Sequence, residues 1–399
     1  MTGIPAFPLD DLEPLCDLIG SARVVGIGET AHHVREYQQL RNRMVQFLVE
    51  RMGFGVVAVE SGFSEGLSVD RWVRGGAGDL TPDLAGNGLT YGFGRSAEMR
   101  RLLTWMRDRN VRYTGVDLPG DLASMLPALD NLDRYLAAVD PDAVETLAGV
   151  RRHAEKYAGP FTIAAFAAYR AMESADRDEL TLLLAELGTR FDTLRPVYVR
   201  RSGTDEFETA RHELRLAGLL DQMLRAQSAS ADGSMAHAVV NVRDAAMADT
   251  VLRSARADRV VFVAGNPHLQ RIPVPLGGGN LELPVAGMYL ADELGDDYLA
   301  VAMTCAGGRV PTRRAAPETP RGAEIVDVDL AEPVAGSVEA VLPFAEHGTH
   351  LADLRPLRST EDTPQRIRSL DSYAEVPVAF AFDLVAAVPT ITPLPPDER

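Results

Sequence analysis

The chain has 399 residues, enough to bury a large core, and its 46% hydrophobic and 24% charged content is that of an ordinary globular protein. A formal net charge of -17 excludes polyanionic partners, because nucleic acid or an anionic membrane surface is repelled at long range. Lys156 is the only lysine, which excludes a lysine Schiff base elsewhere, and two distant cysteines, Cys16 and Cys305, read as buried thiols of a reducing compartment. Residues 1–12 show no leader features, and no apolar run reaches the roughly 18 residues of a membrane span. A cytoplasmic protein acting on a small molecule is expected.

In chain order, Val24-Val25-Gly26-Ile27 reads as a buried parallel strand, ended by Gly28 and followed at once by Glu29-Thr30-Ala31-His32-His33. Leu40, Met44, Phe47 and Leu48 give residues 37–52 helical spacing up to Gly53, and a second strand over 55–60 ends in Glu60. Strand, helix and strand in about 40 residues make a βαβ unit with a right-handed crossover. Residues 96–109 form an amphipathic helix feeding a third strand, 111–117, which again ends in an acid, Asp117. The pattern then changes to Ala-, Leu-, Arg- and Glu-rich segments with 3.6-residue periodicity, a helical insertion. The α/β pattern resumes with a helix over 239–253, a strand over 259–265, and further strands over 297–304 and 376–385; residues 313–320 read as a surface loop. The expected architecture is one α/β domain with a mainly parallel sheet, its core split between residues 1–121 and 236–399 around an insertion at 122–235.

Parallel sheets place ligands beyond the carboxyl ends of their strands, so acids and imidazoles there are the candidates for chemistry. Glu29 and His32, three apart in a helix or tight turn, face one way; a glutamate accepting one imidazole N–H leaves the other nitrogen free as a base. Glu60 and Asp117 border the same cleft. Arg243, opening a helix, suits a carboxylate or a polarised carbonyl, and His268 follows the fourth strand in Gly265-Asn266-Pro267-His268. His33, Glu36 and Arg41 lie beside these as supporting candidates. Glu29, His32, Glu60 and His268 would make an N2O2 ligand set, but no metalloprotease helix motif, cysteine cluster or calcium loop accompanies them. No metal and no cofactor is expected. Neither a phosphate-binding glycine loop nor a nucleophilic serine elbow occurs, which argues against ATP use and a serine esterase.

Taken together, the string Gly28-Glu29-Thr30-Ala31-His32, Glu36, Leu48-Val49-Glu50, Gly53-Phe54, Val59-Glu60, Trp105-Met106-Arg107 with Asn110, Arg243 with Met247-Ala248, and Asn266-Pro267-His268 resembles the erythromycin esterase family. The resemblance implies a three-layer α/β/α fold with a helical insertion and hydrolysis of macrolactone antibiotics. It assigns the water-activating histidine to His32, the motif glutamate to Glu29, the helix arginine to Arg41, the strand-end glutamate to Glu60 and the second loop histidine to His268. Two positions depart from the family. His33 stands where glycine is usual, which opens the prospect of a different backbone beside the base, and Gly265 stands where the first histidine of the loop is expected. The leading expectation is therefore hydrolysis of an ester or lactone of a bulky metabolite, with Arg41 or Arg243 stabilising the oxyanion. The alternatives are a natural-product tailoring enzyme using the same acid/base groups for elimination, dehydration or cyclisation, and a binding protein without turnover.

Overall fold

The computed structural model describes residues 4–231, 240–276, 281–316, 318–319, 322–360 and 363–399. Among these, nine strands form one sheet: β1 (Ala6–Pro8), β2 (Val24–Ile27), β3 (Phe54–Gly62), β4 (Arg112–Asp117), β5 (Arg259–Val263), β6 (Tyr298–Ala315), β7 (Ala323–Asp329), β8 (His350–Asp353) and β9 (Leu384–Ile391). Their order is β1-β8-β9-β6-β2-β5-β3-β4, with β7 pairing the far end of β6. The pairs from β9 through β4 are all parallel, and β1 and β8 extend that edge antiparallel. Strand β2 lies between β5 and β6 and is buried throughout, so its carboxyl end opens into the middle of the sheet's upper edge.

Alternate side chains of each central strand enter opposite layers, as the period of two requires. On one face Val25, Ile27, Val57, Val59 and Val301 pack against Leu40, Met44 and Leu48 of α1 (Arg35–Met52) and against helices α2 (Phe63–Val73) and α3 (Ala97–Arg109). On the other, Val24, Val56, Ala58, Phe262 and Ala300 meet Met247 and Val251 of α6 (Val242–Ala255), Leu269 of α7 (Asn266–Leu269) and Leu290 of α8 (Ala286–Leu294). A third cluster, with Leu129, Leu132, Leu184, Leu187 and Leu220, lies inside the helical block that begins with α4 (Leu126–Val139) and ends with α5 (Thr204–Ala231). Val242 and Ala246 of α6 join that cluster too, so one helix serves both the sheet and the helical block.

The protein is a mixed α/β fold with a mainly parallel central sheet, as the sequence pattern implies. Several element boundaries differ from expectation. Residues 313–315 belong to β6, whose far end pairs with β7 from Arg309↔Asp329 to Ala315↔Ala323; Val310 to Thr312 are buried there, while Arg313 and Arg314 are exposed, so the Arg-rich composition marks a solvated strand end. Pro320 lies outside the described residues, as does the expected insertion boundary at 235/236. The apolar run 376–385 divides into a short helix, Val378–Ala381, which Pro377 precedes, and the start of β9; Asp383, accepting the Ala300 N–H at 2.8 Å, stands between the two. Cys305 is buried as expected, but Cys16 is only half-buried; both thiols are free.

Candidate active site

Four strands deliver the site. Beyond β2, bends rather than a helix carry Gly28 to Val34, yet Glu29 and His32 still meet, with Nδ1 of His32 2.6 Å from Oε1 of Glu29. Gly28 is required by its neighbour: a Cβ there would stand 2.0 Å from Oδ1 of Asn266. Asn266 in turn receives the Met303 N–H at 3.1 Å, donates to the Met303 carbonyl at 2.9 Å, and gives its own N–H to Glu29 O at 2.9 Å. One residue, through its backbone and its side chain, thus ties the ends of β2 and β5 to Met303 within β6.

Glu60 lies where the register of β3 against β4 shifts between Val59 and Gly62, the kind of irregularity that re-aims a side chain beside a site. Its Oε1 is 2.7 Å from Arg243 Nη2, 3.2 Å from His268 Nε2 and 3.9 Å from His32 Nε2. Its Oε2 accepts the Gly265 N–H at 2.8 Å. Burial opposes ionisation of Glu60, but His268 and Arg243 outweigh it and hold the carboxyl well below its usual range. Asp117, the last residue of β4, accepts Nε and Nη2 of Arg243 at 3.0 and 2.6 Å. Arg243 occupies the first turn of α6, where Asn241 caps the helix by accepting the Asp244 N–H.

The two imidazoles are built alike. Each directs Nδ1 at an acid, His32 at Glu29 (2.6 Å) and His268 at Asp244 (2.7 Å), and each directs Nε2 at Oε1 of Glu60. Burial lowers the proton affinity of His268, but the charges of Glu60 and Asp244 prevail and push its pKa up to about 10. His32 is also raised above 6.5: burial opposes protonation, and the Glu29 hydrogen bond and the Glu60 charge prevail. Its ring remains 36% exposed, which softens the burial penalty and leaves the direction unchanged. The ring edge of Phe93 packs on His32 at 5.1 Å, in a T-shaped arrangement.

Six of the nine residues singled out in the sequence therefore converge: Glu29, His32, Glu60, Asp117, Arg243 and His268. Arg41 stands behind Glu29, 3% exposed and 3.9 Å from its Oε2. His33 is buried against Phe93, with ring centroids 5.6 Å apart, and burial lowers its pKa to about 4. Its backbone takes φ 61°, the left-handed conformation that glycine adopts freely. Glu36 lies apart, its carboxylate accepting the Thr392 N–H at 2.7 Å. Among the described residues no group of three or more His, Cys, Asp or Glu side chains is arranged to hold a metal ion, and the Arg243 guanidinium occupies the centre of the acids. The sequence reading missed Asp244, Tyr91 and Phe93. Tyr91 donates its hydroxyl to Asp117 at 2.8 Å from a loop in which Tyr91 and Gly92 both have positive φ. The one signal for that loop was the Tyr91-Gly92 turn; Asp244 read only as an acid in a helix's first turn.

Known proteins share this arrangement of chain. Over 385 residues the sequence is 27% identical to Erythromycin esterase type II of Escherichia coli, covering 94% of this chain and 91% of that protein. It is 26% identical to Erythromycin esterase type I of Escherichia coli, covering 95% and 93%. A mutant of the erythromycin esterase EreC, solved in its open conformation, superposes with a TM-score of 0.83 at 24% identity, covering 98% of this chain and 96% of that one. A Bacillus cereus protein superposes at 0.78 with 18% identity and the same coverage. The sequence profile described as Erythromycin esterase matches residues 49–390, most of the chain, and the chain belongs to the erythromycin esterase family.

Proposed function

We propose that the chain hydrolyses an ester or macrolactone of a bulky metabolite, with His32 as the general base that activates water. One observation carries this reading: both Nε2 atoms converge on Oε1 of Glu60, so a base and an acid flank one point beside a partly buried guanidinium. Glu29 fixes the His32 tautomer, leaving Nε2 to take the proton of a water that attacks the acyl carbon. His268 gives a proton to the departing alkoxide, and Arg243, 20% exposed, lends positive charge to the oxyanion. Arg41, enclosed behind Glu29, acts by holding that carboxylate. Membership of a family whose relatives are named erythromycin esterases supports the substrate class. No helix among the described residues is long and apolar enough to cross a membrane.

Erythromycin and simple alkyl esters are the substrates to test. His32→Ala is expected to lose at least about two decades of kcat, the usual scale of general-base help. In the unaltered protein the rate is expected to rise with pH above 6.5 as His32 sheds its proton, since its pKa is raised. In ¹⁸O-labelled water the carboxylate product takes up one label. Product that forms without label would overturn hydrolysis in favour of elimination or cyclisation, and an unchanged rate in His32→Ala would remove the base assignment.

A further inference from the structure

We propose that Asp244 is the positioning residue that keeps His268 charged and aimed as the acid of the site, the counterpart of Glu29 on His32. This rests on the hydrolytic reading above. Asp244 is 2% exposed and immobilised on three sides: Oδ1 accepts the His268 Nδ1–H at 2.7 Å and the Ala286 N–H of α8 at 2.9 Å, and Oδ2 accepts the Asn241 amide at 2.8 Å. The groups facing the His268 ring are Asp244 at one nitrogen, and Glu60 with Arg243 at the other, the latter 3.3 Å away; His32 stands across Glu60. Two carboxylates against one guanidinium favour the imidazolium. The matching ring, His32, has one acid in hydrogen-bond contact and a second only at 3.9 Å, and it is more exposed, 36% against 17%. The two histidines thus differ through their surroundings, the condition for dividing base and acid roles between like side chains.

In the reaction, the Nε2–H now directed at Glu60 passes to the leaving oxygen as the acyl C–O bond breaks. The Nδ1–H stays on the ring, hydrogen-bonded to Asp244, and His268 is left neutral. His32 holds the proton taken from water. It returns that proton to solvent, His268 draws one back, and the resting state is restored.

Asp244→Asn tests this with two readouts. The first needs no activity: in ¹⁵N-histidine spectra at pH 8 one ring, assigned by its absence in His268→Asn, is expected to carry both protons, and in Asp244→Asn that ring is expected to be neutral. The second is the ratio of kcat on an alkyl ester to kcat on a 4-nitrophenyl ester, whose leaving group needs little protonation. That ratio is expected to fall by about tenfold or more, because acid help matters most for the poor leaving group. Asp244→Glu, which keeps the charge, is expected to restore the doubly protonated ring. Should Asp244→Asn fail to fold, the downfield Nδ1–H resonance of the unaltered protein, absent in His268→Asn, carries the test. A neutral His268 at pH 8 in the unaltered protein, or an imidazolium that persists in Asp244→Asn, overturns the proposal; a correct ring signature without ester turnover instead overturns the hydrolytic reading alone.

Discussion

His33 holds a backbone conformation that few side chains accept, and it does so one residue after the proposed base. At φ 61° an L-residue with a Cβ is disfavoured by about 1–2 kcal/mol relative to glycine. What offsets this cost is packing: the ring lies against Phe93 at 5.6 Å and His32 at 6.4 Å. Replacing His33 by alanine removes the packing and keeps the strain, whereas glycine removes both. His33→Gly is therefore expected to be more stable than His33→Ala by about 1 kcal/mol, the reverse of the order in helices and strands. Urea midpoints of the two variants measure it, and an alanine variant equal to or better than the glycine would show the turn to be unstrained. The make-up of the candidate site was legible wherever it followed an apolar strand: Glu29, His32, Glu60, Asp117 and His268 all stand at or just beyond strand ends, and a parallel sheet gathers such ends by construction. Asp244 and Phe93 were not legible. Their part depends on which helix and loop face the same edge, with Asp244 meeting His268 from 24 residues away and Phe93 meeting His32 from 61, relations that no local spacing encodes.

At the level of elements, the loop bearing Glu29 and His32 is braced by a piece of structure far along the chain. The hairpin of Arg366–Ser369 and Ser372–Glu375 turns at Leu370, whose N–H bonds the Thr30 carbonyl at 3.0 Å. Arg368, 2% exposed, anchors the hairpin by donating to the carbonyls of Cys305 at 3.0 Å, Ala306 at 2.9 Å and Ala331 at 2.6 Å. Removing a buried donor that satisfies three carbonyls is costly, and Arg368→Ala is expected to destabilise by about 2–5 kcal/mol. Because the hairpin reaches the loop bearing Glu29 and His32 through Leu370, amide exchange at Leu370 should accelerate more than at Val261 in the sheet centre. Equal acceleration at both would mean the hairpin unfolds only with the whole protein. Periodicity revealed the large helices, with α1 and α3 beginning within two residues of expectation. It could not reveal this hairpin, whose four-residue strands are too short to display a period.

For the molecule as a whole, the buried titratable groups give stability a direction with pH. Burial pushes Glu213 up to about 8 and Glu65 up to about 7, at the junction where α5 meets α2; Ser64 and Asn131 both donate to Glu213. Burial also lowers His212 to about 3 and His33 to about 4. Between pH 4.5 and 6.5 the folded state holds extra protons on the two glutamates, while the unfolded state holds extra protons on these two histidines, and the slopes oppose one another. Above 6.5 the unfolded histidines are neutral and the opposition ends. The folded chain then retains protons the unfolded chain has lost, on Glu65 to about 7, on Glu213 to about 8 and on His268 to about 10. Stability falls with rising pH wherever the native state binds more protons, so the contribution of His268, complete below 6.5, is lost as pH climbs to about 10. Self-repulsion of a chain already at -17 acts in the same sense. Melting temperatures are expected to be highest near pH 6 and to decline steadily toward pH 10. Glu213→Gln, which cannot ionise in either state, should gain on the unaltered protein as pH rises from 4.5 to 8 and hold a constant lead beyond it. A melting temperature that is flat or rising from pH 6.5 to 9, measured calorimetrically in both proteins, would show these carboxyls to be ionised in the fold.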